Sequence, residues 1–188
     1  MEKAIDTLLQ RRSIASLPLP YQQVELEIIF QSALTAPDHQ GLTPWRFITV
    51  AQENKEKLAE CYIRAQMIEG VIVDEGSKRN IRAKLNRAPD IIICIFSPKA
   101  NAKVPESEQL LSMGAAIQNM IIASSLLGGN AFWATGNIVY TDGFKDALAL
   151  APHEQIAGVL YLGKSLNTVS PKLRHAVRDF FRPFSLGA

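Results

Sequence analysis

The chain has 188 residues, 47% hydrophobic and 20% charged, with 20 Lys+Arg against 18 Asp+Glu for a net charge of +2. That length suffices for one good core and is short for two, so a single domain over 1–188 is expected, and the ordinary composition excludes low-complexity disorder over most of it. So slight a charge, with no Lys/Arg run that builds a stripe, argues against nucleic acid as a partner.

Ile5, Leu8 and Leu9 recur at helical spacing and predict an amphipathic helix from Ala4 to about Gln10 with one face buried. Arg11, Arg12 and Ser13 follow at its exit, and Pro18 and Pro20 stop any continuation. Two guanidiniums and a hydroxyl at a fixed helix exit make a phosphate clamp, because Arg presents a fork of donors matched to phosphate oxygens. The carboxyl end of the helix dipole repels anions, so side-chain charge must supply the attraction, each charged hydrogen bond contributing about 1.5–3 kcal/mol. The plainer alternative is that the paired arginines complement that dipole.

Gln22 to Ala36 predicts a second amphipathic helix, with Val24, Ile28, Ile29 and Leu34 on one face and Pro37 at its end. The loop Ala36 to Trp45 mixes turn formers with Asp38, His39 and Trp45, and loops on rigid scaffolds are where function concentrates. Arg46 to Ala51 reads as a strand, Glu53 to Gly70 as a charged helix with Leu58, Cys61 and Tyr62 inward, and Ser77 to Arg87 as a short basic helix. Asp90 to Ser97 is a continuous apolar run of strand length, expected at the centre of a sheet with both faces covered.

Pro105 to Leu127 is the longest predicted helix, with Pro105 at the first helical position and Gly128-Gly129 as its stop. From Leu110 onward it is apolar nearly all round, so it is expected to be buried, and Gly114, Ala115 and Ala116 let a neighbour approach closely, across a dimer seam or within the chain. Asn130 to Thr135 is a short strand, Asp142 to Ala149 a short helix capped by Asp142, and Gln155 to Gly163 a buried strand. The segment 164–188, basic between Lys172 and Arg182 and carrying Phe180-Phe181, is expected to be an arm on a neighbouring subunit or a frayed terminus.

The opening MEKAIDTLLQ has no continuous apolar stretch and no segment reaches about 18 apolar residues, so neither a signal peptide nor a membrane span is expected. Cys61 and Cys94 read as free thiols, with the cytoplasm as the default setting. The histidines and cysteines do not group at ligand spacing, so no metal is expected. Gly128-Gly129 does not follow a strand and open a helix, which argues against a Rossmann site for a permanently bound nicotinamide.

Five elements in order, QRRSIASL, APDHQGLTPW, PESEQLLSMGAAIQNMIIASSLLGG, FWATG and GVLYLGK, resemble the nitroreductase family of FMN-dependent oxidoreductases, most of all its compact NAD(P)H type, over about the whole chain. The resemblance implies an α+β homodimer with a mainly antiparallel sheet flanked by helices, and FMN held noncovalently at the subunit interface. It implies that Arg11, Arg12 and Ser13 hold the phosphate and ribityl chain and that Thr35 and His39 contact FMN from the partner subunit. Trp133, Ala134, Thr135 and Gly136 then lie against the ring, Ala123 to Gly128 by the nicotinamide, and Lys164 on the phosphate side. Two departures matter: relatives of this type can carry Arg at the positions of Thr35 and Ala134, and both guanidiniums are missing here, which predicts weaker FMN binding unless Lys164 and Arg12 compensate. Ala15 and Leu17 likewise replace an Arg and an aromatic of the family's extended motif.

Read without the resemblance, His39 structures its loop by donating to a carbonyl or to Asp38, Asp38 forms a turn, Trp45 is core, and Trp133 either stacks or caps the core. The implied reaction passes hydride from NAD(P)H through the flavin to a nitroaromatic, quinone or related small acceptor sharing one ring face, with no side chain as nucleophile. The alternatives are a flavin-binding or interaction protein of this fold without turnover, and an adaptor binding nucleic acid through the basic tail.

Overall fold

A computed structural model describes residues 2–101, 103–166, 170 and 172–184; residues 167–169, 171 and 185–188 of the expected arm lie outside them. The elements run α1 (Glu2–Gln10), α2 (Gln23–Ala33), β1 (Trp45–Val50), α3 (Lys55–Ile68), α4 (Glu75–Leu85), β2 (Asp90–Phe96), α5 (Glu106–Leu126), β3 (Asn130–Ala134), α6 (Asp142–Ala147) and β4 (Gln155–Gly163). The strands form one antiparallel sheet in the order β1-β2-β4-β3, so the α+β class and the antiparallel sheet are as expected.

The apolar run of β2 is central because its two faces feed two cores. Ile91, Ile93 and Ile95 point to the side covered by α3, α4 and α6, where Leu58, Ala59, Ile63, Ile81, Leu85 and Phe144 are buried. Ile92, Cys94 and Phe96 point to the side covered by α2 and α5, among Ile29, Met113, Ile117, Met120 and Ile121. Burial in this second core pushes the Cys94 thiol pKa up. Strand β4 follows the same alternation except at Ala157-Gly158, where the register against Cys94 and Ile95 shifts. That extra residue puts Ile156 and Val159 on one face although they are three apart.

Helix α5 ends as its glycines predict. Gly128 takes φ +76°, its N–H donates to the Ser125 carbonyl at 3.1 Å, and the Gly129 N–H donates to the Ser124 carbonyl at 3.0 Å, a closing pattern that satisfies two otherwise orphaned carbonyls. Two helix starts differ from expectation by one residue, in opposite directions. Pro105 precedes α5 rather than opening it, and α6 is capped by Thr141, whose hydroxyl accepts from the Phe144 N–H, and not by Asp142. A cap needs extended backbone, which Thr141 has, while Asp142 is already helical and contributes its charge to the first turn.

The larger correction concerns burial. The apolar face of α1 is not covered, and of the expected α2 face only Ile29 is buried: Ile5 is 53%, Leu9 64%, Val24 62% and, at the α2 cap, Leu34 64% exposed, and on α5 Leu111 is 74% exposed. Helix α1 packs on α5, and α5 on α2, so these side chains belong to neighbouring helices on one side of the sheet.

Candidate functional site

The chain leaving α1 builds the first wall of a cleft of about 240 Å³, with Thr7, Gln10, Arg11, Arg12 and Ile14 on one side and Ser125, Gly129 and Asn130 on the other. The second wall is the α5 cap running into β3. It packs tightly on Tyr21 because position 129 has no side chain: a Cβ there would collide with the Tyr21 hydroxyl, which bonds Ser124 Oγ at 2.6 Å. Arg11 and Arg12 are half-buried, and among the described residues neither guanidinium pairs with a carboxylate. Among the described residues no acidic side chain lines the cleft. Both α1 and α5 end here with their negative dipole poles, so any attraction for an anion comes from the arginines.

The carboxyl-terminal segment folds back onto the same pair. Arg12 Nη1 donates to the Ser170 carbonyl at 2.6 Å, and Arg174 Nη2 donates to the Arg11 carbonyl at 2.7 Å. Arg174 is a residue that sequence reasoning missed; the basic content of the tail was visible, but not which arginine returns to the first helix.

A second pocket, about 210 Å³, lies at the far end of β3 between the sheet and the α3–α4 pair. Ala134 and Gly136 line it, as do Tyr62, Phe132, Tyr161 and two further cations that sequence reasoning missed, Lys84 and Arg87. Burial raises the pKa of both tyrosines, so their phenols are neutral and the fixed charge of the pocket is cationic. The Leu17 N–H donates to the Arg87 carbonyl at 2.7 Å, and Ile14 packs on the core cluster that holds Tyr161 and touches Phe132. Segment 11–17 therefore runs from the arginine cleft to this pocket. Asn130, Phe132 and Ala134 alternate along β3 on one face, the first in the cleft and the other two in the pocket.

The remaining candidates lie elsewhere. Thr35 Oγ1 donates to the Ser32 carbonyl at 2.8 Å and accepts from Asn119 Nδ2 at 3.1 Å. His39 Nδ1 is 3.0 Å from Glu108 Oε2 and lines a shallow cleft with Pro37, Asp38 and Leu111. Asp38 is the expected turn former, accepting from the Thr43 N–H at 2.6 Å. Trp133 points to the other face of β3, where its indole N–H donates to the Ala157 carbonyl at 3.2 Å beside a larger cleft of about 710 Å³. Ser13 and Thr135 are exposed and line neither the cleft nor the pocket. Lys164 Nζ donates to both Glu25 oxygens, at 2.8 and 2.9 Å, and is 5.2 Å from the Tyr21 ring centroid.

A model of the nitroreductase family matches residues 9–164. A protein of Escherichia coli K12 provisionally named NAD(P)H nitroreductase YdjA is 30% identical over 164 residues, 85% of this chain and 87% of that one. Among solved structures, a nitroreductase-like family protein from Bacillus cereus superposes with TM-score 0.83 at 17% identity, covering 96% of this chain and 95% of its own. A provisionally named nitroreductase from Desulfovibrio desulfuricans, solved in complex with FMN, superposes with TM-score 0.71 at 21% identity over 97% and 98%.

Proposed function

The chain belongs to the nitroreductase family, and from that premise we propose that it is an FMN-dependent oxidoreductase that takes hydride from NAD(P)H and reduces nitroaromatic, quinone or related small acceptors. The observation that carries this reading is the track along β3, from a cleft with two unpaired-by-carboxylate guanidiniums to a pocket with two more cations. Four steps of strand lead from Asn130 to Ala134, a span of about 13 Å, enough for a ribityl chain between a phosphate at one end and a tricyclic ring at the other.

The residues fit such a ligand by charge as well as by length. Arg11 and Arg12 hold the phosphate, and Arg174, bonded to the Arg11 carbonyl, adds positive charge near them. Ser13 follows them toward the ribityl chain. Lys84 and Arg87 stabilise negative charge on a reduced ring, and Gly136, with no side chain to keep a ring away, offers its backbone. FMN held along this track would supply the redox chemistry that links a nicotinamide donor to the acceptor. No side chain serves as nucleophile.

Thr35 and His39 line neither half of this track, which supports a homodimer in which they reach the other copy's flavin. The exposed apolar faces of α1, α2 and α5 are the surface for that seam. Trp133 faces away from the pocket and is better read as sealing the edge of the sheet. Free thiols at Cys61 and Cys94 support a reducing, cytoplasmic setting.

An absorption spectrum tests the reading. Purified protein saturated with FMN is expected to be yellow and to bleach anaerobically with NADH or NADPH, and steady-state lines for donor against acceptor are expected to run parallel. Yellow protein that neither donor bleaches would replace the enzyme with a flavin-binding protein, a reading that the loss of guanidiniums at Thr35 and Ala134 favours. Protein that takes up no FMN removes both.

A further inference from the structure

Lys164 is rooted beside the arginine cleft and turned away from it. Its residue pairs with Leu19 through backbone bonds of 2.7 and 3.2 Å, and the preceding Gly163 lies opposite Asn130, which lines the cleft. Between the Lys164 ammonium and the cleft stands the Tyr21 ring: the ammonium sits 5.2 Å from its centroid, while its hydroxyl abuts Gly129 on the cleft wall. The ammonium is held there by Glu25, whose carboxylate accepts from it through both oxygens and is itself anchored by the Gln22 N–H at 2.8 Å. Lys164 and Glu25 side chains are 29% and 19% exposed, so the pair is less screened than a surface one.

We propose that Glu25 and a phosphate in the arginine cleft compete for the Lys164 ammonium, so that Glu25 sets how tightly this protein takes a phosphorylated flavin. The proposal rests on the reading of the cleft as the FMN phosphate site. A flexible four-carbon stem lets the ammonium swing past Tyr21 while its backbone stays bonded to Leu19, and a phosphate monoester carries close to two negative charges, enough to draw a further cation beside Arg11 and Arg12. Glu25 presents two oxygens to the ammonium as a phosphate would, and every phosphate bound costs the release of that pair.

Dissociation constants for FMN and for riboflavin, read by quenching of flavin fluorescence, separate the parts. Glu25→Gln retains an oxygen for the Gln22 N–H and removes the charge. It is expected to tighten FMN binding about 10-fold and leave riboflavin unchanged, and the gain is expected to vanish when Lys164→Met is added. An unchanged or lowered preference for FMN in Glu25→Gln overturns the competition, and so does a gain that survives without Lys164. Wild-type protein with no preference for FMN over riboflavin removes the phosphate reading itself, and the competition with it. The wild-type chain gives a second measurement: in carboxyl-labelled protein the Glu25 signal is expected to titrate at higher pH with FMN than without it, and riboflavin is expected to cause no change. A Glu25 titration indifferent to FMN overturns the proposal without any variant.

Discussion

Among the described residues Arg12 commits one guanidinium nitrogen to the Ser170 carbonyl and has others left for a ligand, while Arg11 lends its carbonyl to Arg174 and keeps its own fork. If these groups hold a phosphate, Arg12→Ala and Arg174→Ala are each expected to weaken FMN by about 10- to 100-fold, the equivalent of one charge-assisted bond, and to leave riboflavin unaffected. Equilibrium titration with both flavins checks it. At this scale the sequence showed the arginine pair and its loop setting but not the remaining cations. Lys84 and Arg87 sit in a run that reads as the solvated face of a basic helix, and only the fold brings that helix to the end of β3. Lys164 was visible as a cation at a strand end; its partner Glu25 is 139 residues away and no spacing rule finds it.

The elements were largely legible because each carries its own punctuation. Glycines close α5, prolines separate the early helices, and the long apolar run of β2 could only be a covered strand. Caps were less legible, since Thr141 and Asp142 are both good cap residues and the choice depends on backbone angles. Thr141→Ala is expected to cost about 1 kcal/mol, against a smaller loss for Asp142→Asn, by thermal melting. A second prediction concerns the junction of β1 with the turn before β4. Arg46 donates to both oxygens of the largely buried Glu154, at 2.9 and 2.7 Å, and chiefly this bond lowers the carboxyl pKa to about 2. A depressed pKa contributes stability that is present above the ordinary carboxylate range and is lost as pH falls toward the folded value. Arg46→Ala is therefore expected to destabilise by about 2 kcal/mol near neutral pH, and the difference from wild type to shrink between pH 4 and 2 in urea melts.

For the molecule as a whole, amphipathic patterning announced that α1 and α2 bury a face but not what covers it. The same Ile5, Leu9, Val24 and Leu34 that periodicity assigns to a core are exposed on the single chain. Under the proposed homodimer a second copy would cover them, and sedimentation is then expected to give twice the chain mass. The pair Leu9→Glu and Val24→Glu is expected to return it to one chain and to weaken FMN as well, because Thr35 and His39 would lose the other copy's pocket. Variants that stay dimeric, or monomers that keep full FMN affinity, would separate the seam from the flavin site.

The two-sided burial of β2 has one more consequence, for the chemistry of its thiol. Cys94 faces the core between α5 and the sheet, whereas Cys61 on α3 is only half-buried. A disulfide reagent applied to native protein should thus modify one site promptly and the other no faster than the whole sheet opens, so that the slow phase of labelling becomes a clock for global unfolding, one that FMN retards in proportion to its occupancy.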